Sequence, residues 1–394
     1  KITARYPCYG KATTLQFVRP QDVCFLDGYV ISTRNYLTTM FTRIWGEVVH
    51  IEAERDGIQN ITVQVGDEVR RAICYPELTG RVEVGNRVLL NTVAVELNLG
   101  TGGSDFVIAI ADTTIESEPP GHLIKLRYTP LQVPVLAVEA PESPHHNIIA
   151  QFETLAGTPV VCLELHSQLA AICAAAKSLR NVKIAYIMTD GAALPLAYSR
   201  LVSELKTAKL LDTTITIGQA FGGDYEAISL FSGLAAAKVV CGADIIIVGQ
   251  GPGNAGTGTA LGFSGIEQGI AANAAYSLGG VPIVVPRLSF ADARERHQGI
   301  SHHTLTVLCR VVLCPVIVPF PVLPQAQTDV IAQQWRVAQF SQVHEWITRE
   351  ADTGLLALER SGIAVTTMGR TLEQERPFFL AAAAAGLVAV ERLP

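Results

Sequence analysis

The sequence predicts an α/β protein with a doubly wound, mostly parallel sheet in a three-layer, Rossmann-like arrangement, preceded by a small N-terminal antiparallel β-barrel domain. Residues 42–117 alternate apolar and polar side chains with a period of two between glycine turns, as in 61–65, ITVQV. That pattern is typical of short strands that bury one face. From residue 158, apolar runs of strand length alternate with helical stretches, which favours βαβ units and a parallel sheet covered on both faces.

The 394 residues exceed what one hydrophobic core usually serves. We predict four parts: an N-terminal extension (1–41), a barrel-like domain (42–117), a proline-rich connection (118–157) and an α/β domain that carries the site (158–394). Residues 1–39 show no clear periodicity, so Met40 is a candidate for the natural start. The alternative is an N-terminal arm packed on the surface.

Within the α/β domain, six apolar runs are predicted to be parallel strands: 158–165, 182–188, 212–217, 243–248, 281–285 and 315–319. A small-residue helix is predicted over 266–278, and a long polar helix over 325–350. Residues 361–368 and 373–387 are expected to add one more strand and helix.

The amino-acid composition limits the classes of partner and the cellular compartment that we expect for this protein. The formal net charge is −6 and there is no basic stripe, which argues against nucleic acid as a partner. Hydrophobic residues make up 49% and charged residues 17%, so we expect apolar surface to be hidden in a homo-oligomer. No apolar run reaches the ~18 residues that a membrane span needs. None of the eight cysteines forms a CxxC pair, which favours a reduced, cytoplasmic protein.

Residues 249–269, which follow a predicted strand and precede a predicted helix, hold eight of the 33 glycines. A strand, a glycine-rich turn and a helix N-terminus together favour anion binding. The predicted ligand contacts are Gly251, Gly253, Asn254, Gly256, Thr257, Gly258 and Thr259. Residues 251–256 also fit G-x-G-x-x-G, a dinucleotide pattern. That match is weak alone, because it lies on a late strand and the next strand ends near an arginine rather than an acid.

Other polar clusters follow the predicted strands, and ligands bind at the carboxyl ends of parallel strands. His166, Asp190 and Asp224 are candidate catalytic residues, and Gly222 and Gly223 are candidate ligand contacts. Each has a structural alternative. His166 packs at a helix start, Asp190 belongs to a plain turn, Asp224 caps a helix over 225–240, and the glycine pair permits a tight turn.

Residues 292–304, DARERHQGISHHT, hold three of the nine histidines, two arginines and two acids. Asp292, His297, His302 and His303 are therefore candidates for acid–base chemistry. The predicted metal ligands are His297, His302 and Asp292, because adjacent side chains of a regular helix diverge by about 100° and His302 and His303 would not face one ion. Arg287 and Arg294 are alternative clamps for phosphate or carboxylate. The remaining interpretation is a surface loop with ordinary salt bridges.

The motifs TDGAALP (189–195), AFGGD (220–224), GPGNAGTGT (251–259) and RLSFADARERHQGISHHT (287–304) resemble those of an uncharacterised bacterial family, domain of unknown function 3866. Residues 89–103, LLNTVAVELNLGTGG, look like the same family. The resemblance covers roughly residues 42–325. It implies no established activity, cofactor or catalytic residue.

We therefore expect an enzyme that acts on a small anionic metabolite, phosphorylated or carboxylated, at the carboxyl ends of the parallel strands. An NAD(P)-dependent oxidoreductase and a non-catalytic ligand sensor are the alternatives. The cofactor stays open between a divalent metal, a nucleotide and none.

Overall fold

The structure is a computed structural model that describes residues 24–26, 29–31, 43–116 and 118–394. Cys24–Leu26 pairs with Tyr29–Ile31 as a short antiparallel ribbon. Met40 and most of the predicted N-terminal extension lie outside the described residues. The chain divides into two compact units. The first comprises the residues up to Glu54 with Gln59–Tyr75 and Thr79–Thr113, and the second comprises Arg55–Ile58, Pro76–Leu78 and Thr114–Pro394.

The first unit contains a closed five-stranded barrel with the strand order β1-β2-β3-β5-β4, which confirms the predicted barrel. The barrel strands are β1 (Arg43–Arg55), β2 (Ile58–Val65), β3 (Glu68–Cys74), β4 (Arg87–Asn91) and β5 (Asp105–Ile110). Two short helices, α1 (Pro76–Thr79) and α2 (Val93–Glu96), lie between them in the sequence. The pairing of β3 with β5 is parallel, so the barrel is not wholly antiparallel as predicted.

Alternate residues of the barrel strands fill its core. Val48, Val63 and Val88 are fully buried, as the period of two predicts. One charged pair lies at this core: the Arg70 side chain donates to both oxygens of buried Asp105, at 2.6 and 3.1 Å.

The second unit is built on an eight-stranded sheet in which every pairing is parallel, with the order β11-β10-β9-β12-β8-β13-β16-β17. The strands after the barrel are β6 (Leu123–Lys125), β7 (Val133–Val135), β8 (Pro159–Cys162), β9 (Ile184–Thr189), β10 (Thr213–Thr216), β11 (Tyr225–Glu226), β12 (Ile245–Gln250), β13 (Val281–Val284), β14 (Leu288–Ser289), β15 (Gly299–Ile300), β16 (Ile317–Pro321), β17 (Glu345–Arg349), β18 (Thr366–Thr367) and β19 (Arg370–Thr371). All six predicted parallel strands are confirmed. β6 pairs with β7, β14 with β15 and β18 with β19 as separate hairpins.

Helices cover both faces of this sheet, which gives the predicted three layers. They are α3 (His146–Ala150), α4 (Leu169–Leu179), α5 (Arg200–Thr207), α6 (Leu230–Val239), α7 (Glu267–Ser277), α8 (His302–Thr306), α9 (Gln325–Val337), α10 (Asp352–Arg360) and α11 (Arg376–Glu391). Alternate strand residues pack on opposite layers: Ile245 and Ile247 belong to the core with α4, α10 and α11, and Ile246 to the core with α6 and α7. Small residues allow the helices of the first layer to approach closely. A Cβ at Gly386 of α11 would lie 2.3 Å from the Ile172 carbonyl oxygen of α4.

The predicted helix over 325–350 is wrong in its second half. The helix ends at Val337, and Glu345–Arg349 forms the edge strand β17. The Trp346 ring stacks on Phe320 of β16 with centroids 3.9 Å apart, and Trp346, Ile347 and Thr348 are residue types that favour strands. The strand predicted over 361–368 is confirmed only at Thr366–Thr367, which pairs within a hairpin and not in the parallel sheet. The helix predicted over 373–387 is confirmed as α11.

None of the described helices is both long and apolar enough to cross a membrane. The six cysteines whose side chains are described form no disulfide.

Candidate functional site

Three neighbouring strands at the centre of the sheet, β12, β8 and β13, end at the same edge because all are parallel. The loop after β8 carries Glu164 and His166. The loop after β12 belongs to residues 249–269, here called the glycine window, and residues 287–304 follow β13. These loops form the candidate site, at the position where parallel α/β sheets bind ligands.

The first part of the site is a group of three imidazoles, here called the histidine cluster: His297, His302 and His303. Each offers a ring nitrogen, and these three nitrogens lie within 4.8 Å of one another. The ring centroids are 5.0 Å apart for His297 and His302, and 4.3 Å apart for His302 and His303. His297 and His303 are buried and His302 is half-buried. The structure therefore brings together all three histidines that the sequence singles out in this segment.

The expectation that His302 and His303 would face different directions is wrong in its geometry. Both stand at the beginning of α8, a helix of five residues that Ser301 caps. Rotation by about 100° per residue separates their Cβ atoms. The imidazole rings extend beyond Cβ, however, and their side-chain torsions turn them towards each other.

Glu164 holds one of these rings. It lies directly after β8 and is completely buried. The His303 Nδ1 atom donates to its Oε1 at 2.9 Å, and the Thr304 hydroxyl donates to its Oε2 at 3.3 Å. Gly265 packs against this side chain, since a Cβ there would lie 2.7 Å from the Glu164 Cγ. The carboxylate therefore fixes the orientation of the His303 ring and leaves its Nε2 atom available.

Ser301 holds a second ring. Its hydroxyl oxygen lies 2.8 Å from the His297 Nδ1 atom and accepts from the His303 backbone N–H at 3.2 Å. One serine thus caps α8 and positions His297. Because Ser301 contacts Nδ1, the Nε2 atom of His297 is left available, as it is in His303.

Burial favours the uncharged form of His297 and His302. It lowers the pKa of His297 to about 3, with a further contribution from the positive charge of Arg287. Burial likewise lowers the pKa of His302 to about 4, assisted by the neighbouring His303. Both rings are therefore neutral at pH 7. The Nε2 atom of His302 is buried and has no hydrogen-bond partner among the described residues.

Asp292, which the sequence places with the histidines as a metal ligand, is bound to arginines instead. Arg294 donates to both of its oxygens at 2.9 and 2.7 Å, and Arg370 donates to one at 3.3 Å. Hydrogen bonds from Arg294 hold the pKa of Asp292 well below its usual range. Arg287 is buried between Asp292 and Glu164, at 3.7 and 3.4 Å. Arg287 and Arg294 are thus paired within the protein rather than left free for a substrate anion.

The glycine window forms a loop of its own before the next helix. Residues 256 and 263 pair as an antiparallel bridge, and the hydroxyl groups of Thr257 and Thr259 bond to each other and to the turn at Gly262. Phe263 at the end of this loop stacks on His303, with centroids 3.8 Å apart and an interplanar angle of 1°. The predicted contacts Gly256, Thr257, Gly258 and Thr259 therefore belong to an exposed turn that leads to the histidine cluster.

The first part of the window, with Gly251, Gly253 and Asn254, lines a cavity of about 430 Å³. The other walls come from the loop after β8, the first turns of α5 and the segment before and within β18: Leu165, His166, Ser167, Arg200, Leu201, Glu204 and residues 364–368. Gly253 has a φ of +107° and a Cβ there would meet nothing within 4 Å. Its backbone is thus uncovered beside the cavity.

A family model described as protein of unknown function (DUF3866) matches residues 71–386, which is most of the chain. The chain belongs to this family. No curated protein matches it. The DUF3866 match spans the whole parallel sheet and every residue of the candidate site, so the loops described above belong to the part of the chain that the family shares.

In this DUF3866 chain, His166 makes structural contacts at the cavity wall. Its Nε2 atom lies 2.7 Å from the Ser199 hydroxyl, and its Nδ1 atom lies 3.2 Å from the Tyr186 hydroxyl. The Tyr186 hydroxyl in turn donates to the Gln250 carbonyl oxygen at 2.9 Å. Burial lowers the pKa of His166 to about 4, so the ring is neutral at pH 7. This chain of contacts ties the loop after β8 to the end of β12.

Asp224 does not cap a helix over 225–240 as the structural alternative has it. α6 begins at Leu230 and Ser229 caps it. The Asp224 carboxylate instead accepts from the backbone N–H and the hydroxyl of Thr214, at 2.8 and 2.9 Å, and from Lys206. Asp224 thus fastens the loop before β11 to β10.

The remaining predicted residues also bond within the protein. Asp190 accepts from the Gln219 backbone N–H at 2.9 Å. The Gly222 N–H donates to Glu226 at 2.7 Å and the Gly223 N–H donates to the Thr216 hydroxyl at 3.1 Å. These two N–H groups are therefore used to shape the turn, and the sequence reading of them as ligand contacts draws no support from the geometry.

Three residues of the site escaped the sequence analysis: Glu164, Ser301 and Arg200. One signal could have identified Glu164, because a charged residue within an apolar strand run is costly to bury without a partner. Arg200 stands in a helix of ordinary composition, and only the fold brings it to the cavity.

Proposed function

We propose that this protein is an enzyme that binds a small anionic metabolite in the cavity at the carboxyl ends of β8 and β12. The observation that carries the proposal is the cavity itself. Its volume of about 430 Å³ falls in the range of roughly 300–1,000 Å³ that small-molecule sites occupy. It lies at the sheet edge where parallel α/β proteins bind ligands.

Hydrogen-bond donors at the cavity wall support an anionic ligand. The Asn254 Oδ1 atom accepts from the Ser264 hydroxyl at 2.7 Å, from the Gln250 side chain at 3.0 Å and from the Gly265 N–H at 3.2 Å. These three bonds orient the amide so that its NH₂ group faces away from them as a donor. The uncovered backbone of Gly253 adds an N–H group beside it.

Arg200 supplies the positive charge. Its side chain is 81% exposed and donates to Glu204 at 2.6 Å, one turn further along α5. An exposed ion pair of this kind contributes little to stability. A phosphate or carboxylate can therefore replace Glu204 as the partner of the Arg200 guanidinium. In this proposal Arg200, rather than Arg287 or Arg294, is the arginine that binds the anionic ligand.

The contacts of Asn254 connect the cavity wall to the histidine cluster. Gly265, which donates to Asn254, packs against Glu164, and Glu164 holds the His303 ring. Imidazoles that are linked to a substrate pocket in this way can accept protons or bind a metal ion. This link favours an enzyme over a ligand sensor.

The glycine window gives no support to the NAD(P) alternative. In dinucleotide sites the glycine turn leads directly into a helix N-terminus that binds the pyrophosphate. Here α7 begins only at Glu267, after the paired loop that ends at Phe263. That alternative stays a prediction.

The test is anion binding by the Arg200→Gln variant, with Arg180→Gln as the matched control, because Arg180 is exposed at the end of α4. Calorimetry with phosphate, pyrophosphate and citrate measures affinity. We expect the wild type and Arg180→Gln to bind at least one anion equally, and Arg200→Gln to bind about tenfold more weakly, as loss of one charge-assisted hydrogen bond predicts.

Equal binding by Arg200→Gln and the wild type would contradict the proposed site. Turnover is measured separately. Phosphorylated and carboxylated metabolites that compete with the anion for the site are incubated with the protein, and mass spectrometry detects any product. Competition without any turnover would favour a ligand sensor.

A further inference from the structure

We propose that His297, His302 and His303 form a binding site for one divalent transition metal ion of the zinc type, oriented by Glu164 and Ser301. Metal binding here is tested separately from the proposed function, because none of the three histidines is among the residues that line the anion cavity.

The geometry of the ring nitrogens fits such an ion after a small adjustment. They lie within 4.8 Å of one another, whereas three nitrogens around a tetrahedral zinc ion at 2.0–2.1 Å are about 3.4 Å apart. Rotation of the His302 side chain, whose Nε2 atom has no hydrogen-bond partner among the described residues, brings its nitrogen closer to those of the two held rings. Imidazole ligands suit zinc, cobalt, nickel and copper, and they do not suit magnesium or calcium, which prefer oxygen.

The contacts around the rings are those that metal-binding histidines usually make. A ligand histidine donates its second ring N–H to a carboxylate or another acceptor, which fixes its tautomer and orientation. His303 meets Glu164 in this way at 2.9 Å, and His297 meets Ser301 at 2.8 Å. The negative charge of Glu164, completely buried beneath His303, also offsets part of the charge of a bound cation.

His302 supplies an independent observation. Its Nε2 atom is buried and unpartnered among the described residues, and a buried polar atom without a partner costs free energy. A metal ion at the centre of the cluster would supply the missing partner. An interpretation as three packed imidazoles leaves this atom unexplained.

The site has the character of a catalytic rather than a structural metal centre. Three protein ligands leave one position of a tetrahedral ion open for water or substrate, whereas structural zinc sites use four. Phe263 covers one face of His303 at 3.8 Å and excludes water from that side. Such an ion acts as a Lewis acid.

The test is the zinc content of the full-length, untagged protein after it is stripped with a chelator, reloaded with zinc alone and desalted. Plasma mass spectrometry is expected to find one zinc per chain in the wild type and a loss of at least tenfold in His302→Gln. The matched control is His344→Gln, since His344 is buried, contacts the Leu308 carbonyl oxygen at 3.1 Å and lies outside the cluster. This control is expected to keep one zinc.

A wild type that retains no zinc would overturn the proposal. Equal zinc in His302→Gln and the wild type would also overturn it. Circular dichroism of each chelated variant shows whether the chain is folded before zinc is added.

Two further variants keep the test decisive if His302→Gln fails to fold. Glu164→Gln preserves the shape of the side chain and is expected to weaken zinc affinity by about 10- to 100-fold, as loss of an orienting partner does. Chelator competition measures this affinity, and an unchanged value would overturn the role of Glu164. Asp292→Asn is expected to keep one zinc. Loss of zinc in that variant alone would overturn the three-histidine site in favour of Asp292 as a ligand.

Discussion

Replacement of Glu164 by glutamine should destabilise the second unit by about 3 kcal/mol, even without metal. Glu164 is fully buried and accepts from three donors: His303 at 2.9 Å, Thr304 at 3.3 Å and Arg287 at 3.4 Å. Removal of one partner from a buried ion pair costs roughly 3–5 kcal/mol. The lower end applies here, because glutamine still accepts one hydrogen bond and Arg287 keeps Asp292 at 3.7 Å.

Urea unfolding in the presence of a chelator measures this loss without a contribution from metal binding. The tryptophans allow the signal to be assigned to one unit. Trp45 lies in the barrel, and Trp335 and Trp346 lie in the second unit. In a Trp45→Phe background, fluorescence therefore reports on the unit that contains Glu164.

The matched control is Glu153→Gln, at an exposed carboxylate, which should change the unfolding free energy by less than about 0.5 kcal/mol. A loss of less than about 1 kcal/mol in Glu164→Gln would refute the reasoning. It would mean that the carboxylate is not the buried anchor of His303 and Arg287.

Two further predictions concern stability. Acid should destabilise the protein between pH 6.5 and about 4, because burial lowers the pKa values of four histidines below 6.5 and the unfolded chain then binds more protons: His166, His297, His302 and His344. The contribution of these histidines to stability is fully present above pH 6.5. The free energy of unfolding, measured in urea at pH 7, 6 and 5, should therefore fall steadily, and a rise would contradict the lowered pKa values. Separately, Lys125→Met should cost about 3 kcal/mol, since buried Lys125 donates to Glu226 at 2.6 Å and to two backbone carbonyls. The exposed control Lys183→Met should stay within about 0.5 kcal/mol in the same urea assay, and an equal effect of both changes would refute the role of the buried pair.

Periodicity and local composition sufficed for the frame of the protein. The six apolar runs of the second unit are strands because each buries both faces in a parallel sheet, and this requirement is visible in consecutive residues such as Ile245, Ile246 and Ile247. The barrel was predictable for the same reason, since its alternation of apolar and polar residues is local.

Segments whose state depends on a distant partner were not predictable. β17 is a strand because it pairs with β16 and because Trp346 stacks on Phe320. Trp346, Ile347 and Thr348 favour a strand locally, but nothing in the segment itself shows that it pairs with β16.

The candidate site shows the same division between features that are local in the sequence and features that depend on distant residues. The sequence by itself determined that residues 249–269 contain a glycine-rich loop after a strand and that 292–304 concentrate three histidines, since composition is a local property. Only the tertiary structure decided that Glu164 holds His303, 139 residues away in the chain, and that Asp292 belongs to arginines. A buried charge takes the partner that the fold places beside it. For Glu164 that partner comes from the beginning of α8, and Asp292 receives Arg370 from 78 residues away in addition to its sequence neighbour Arg294.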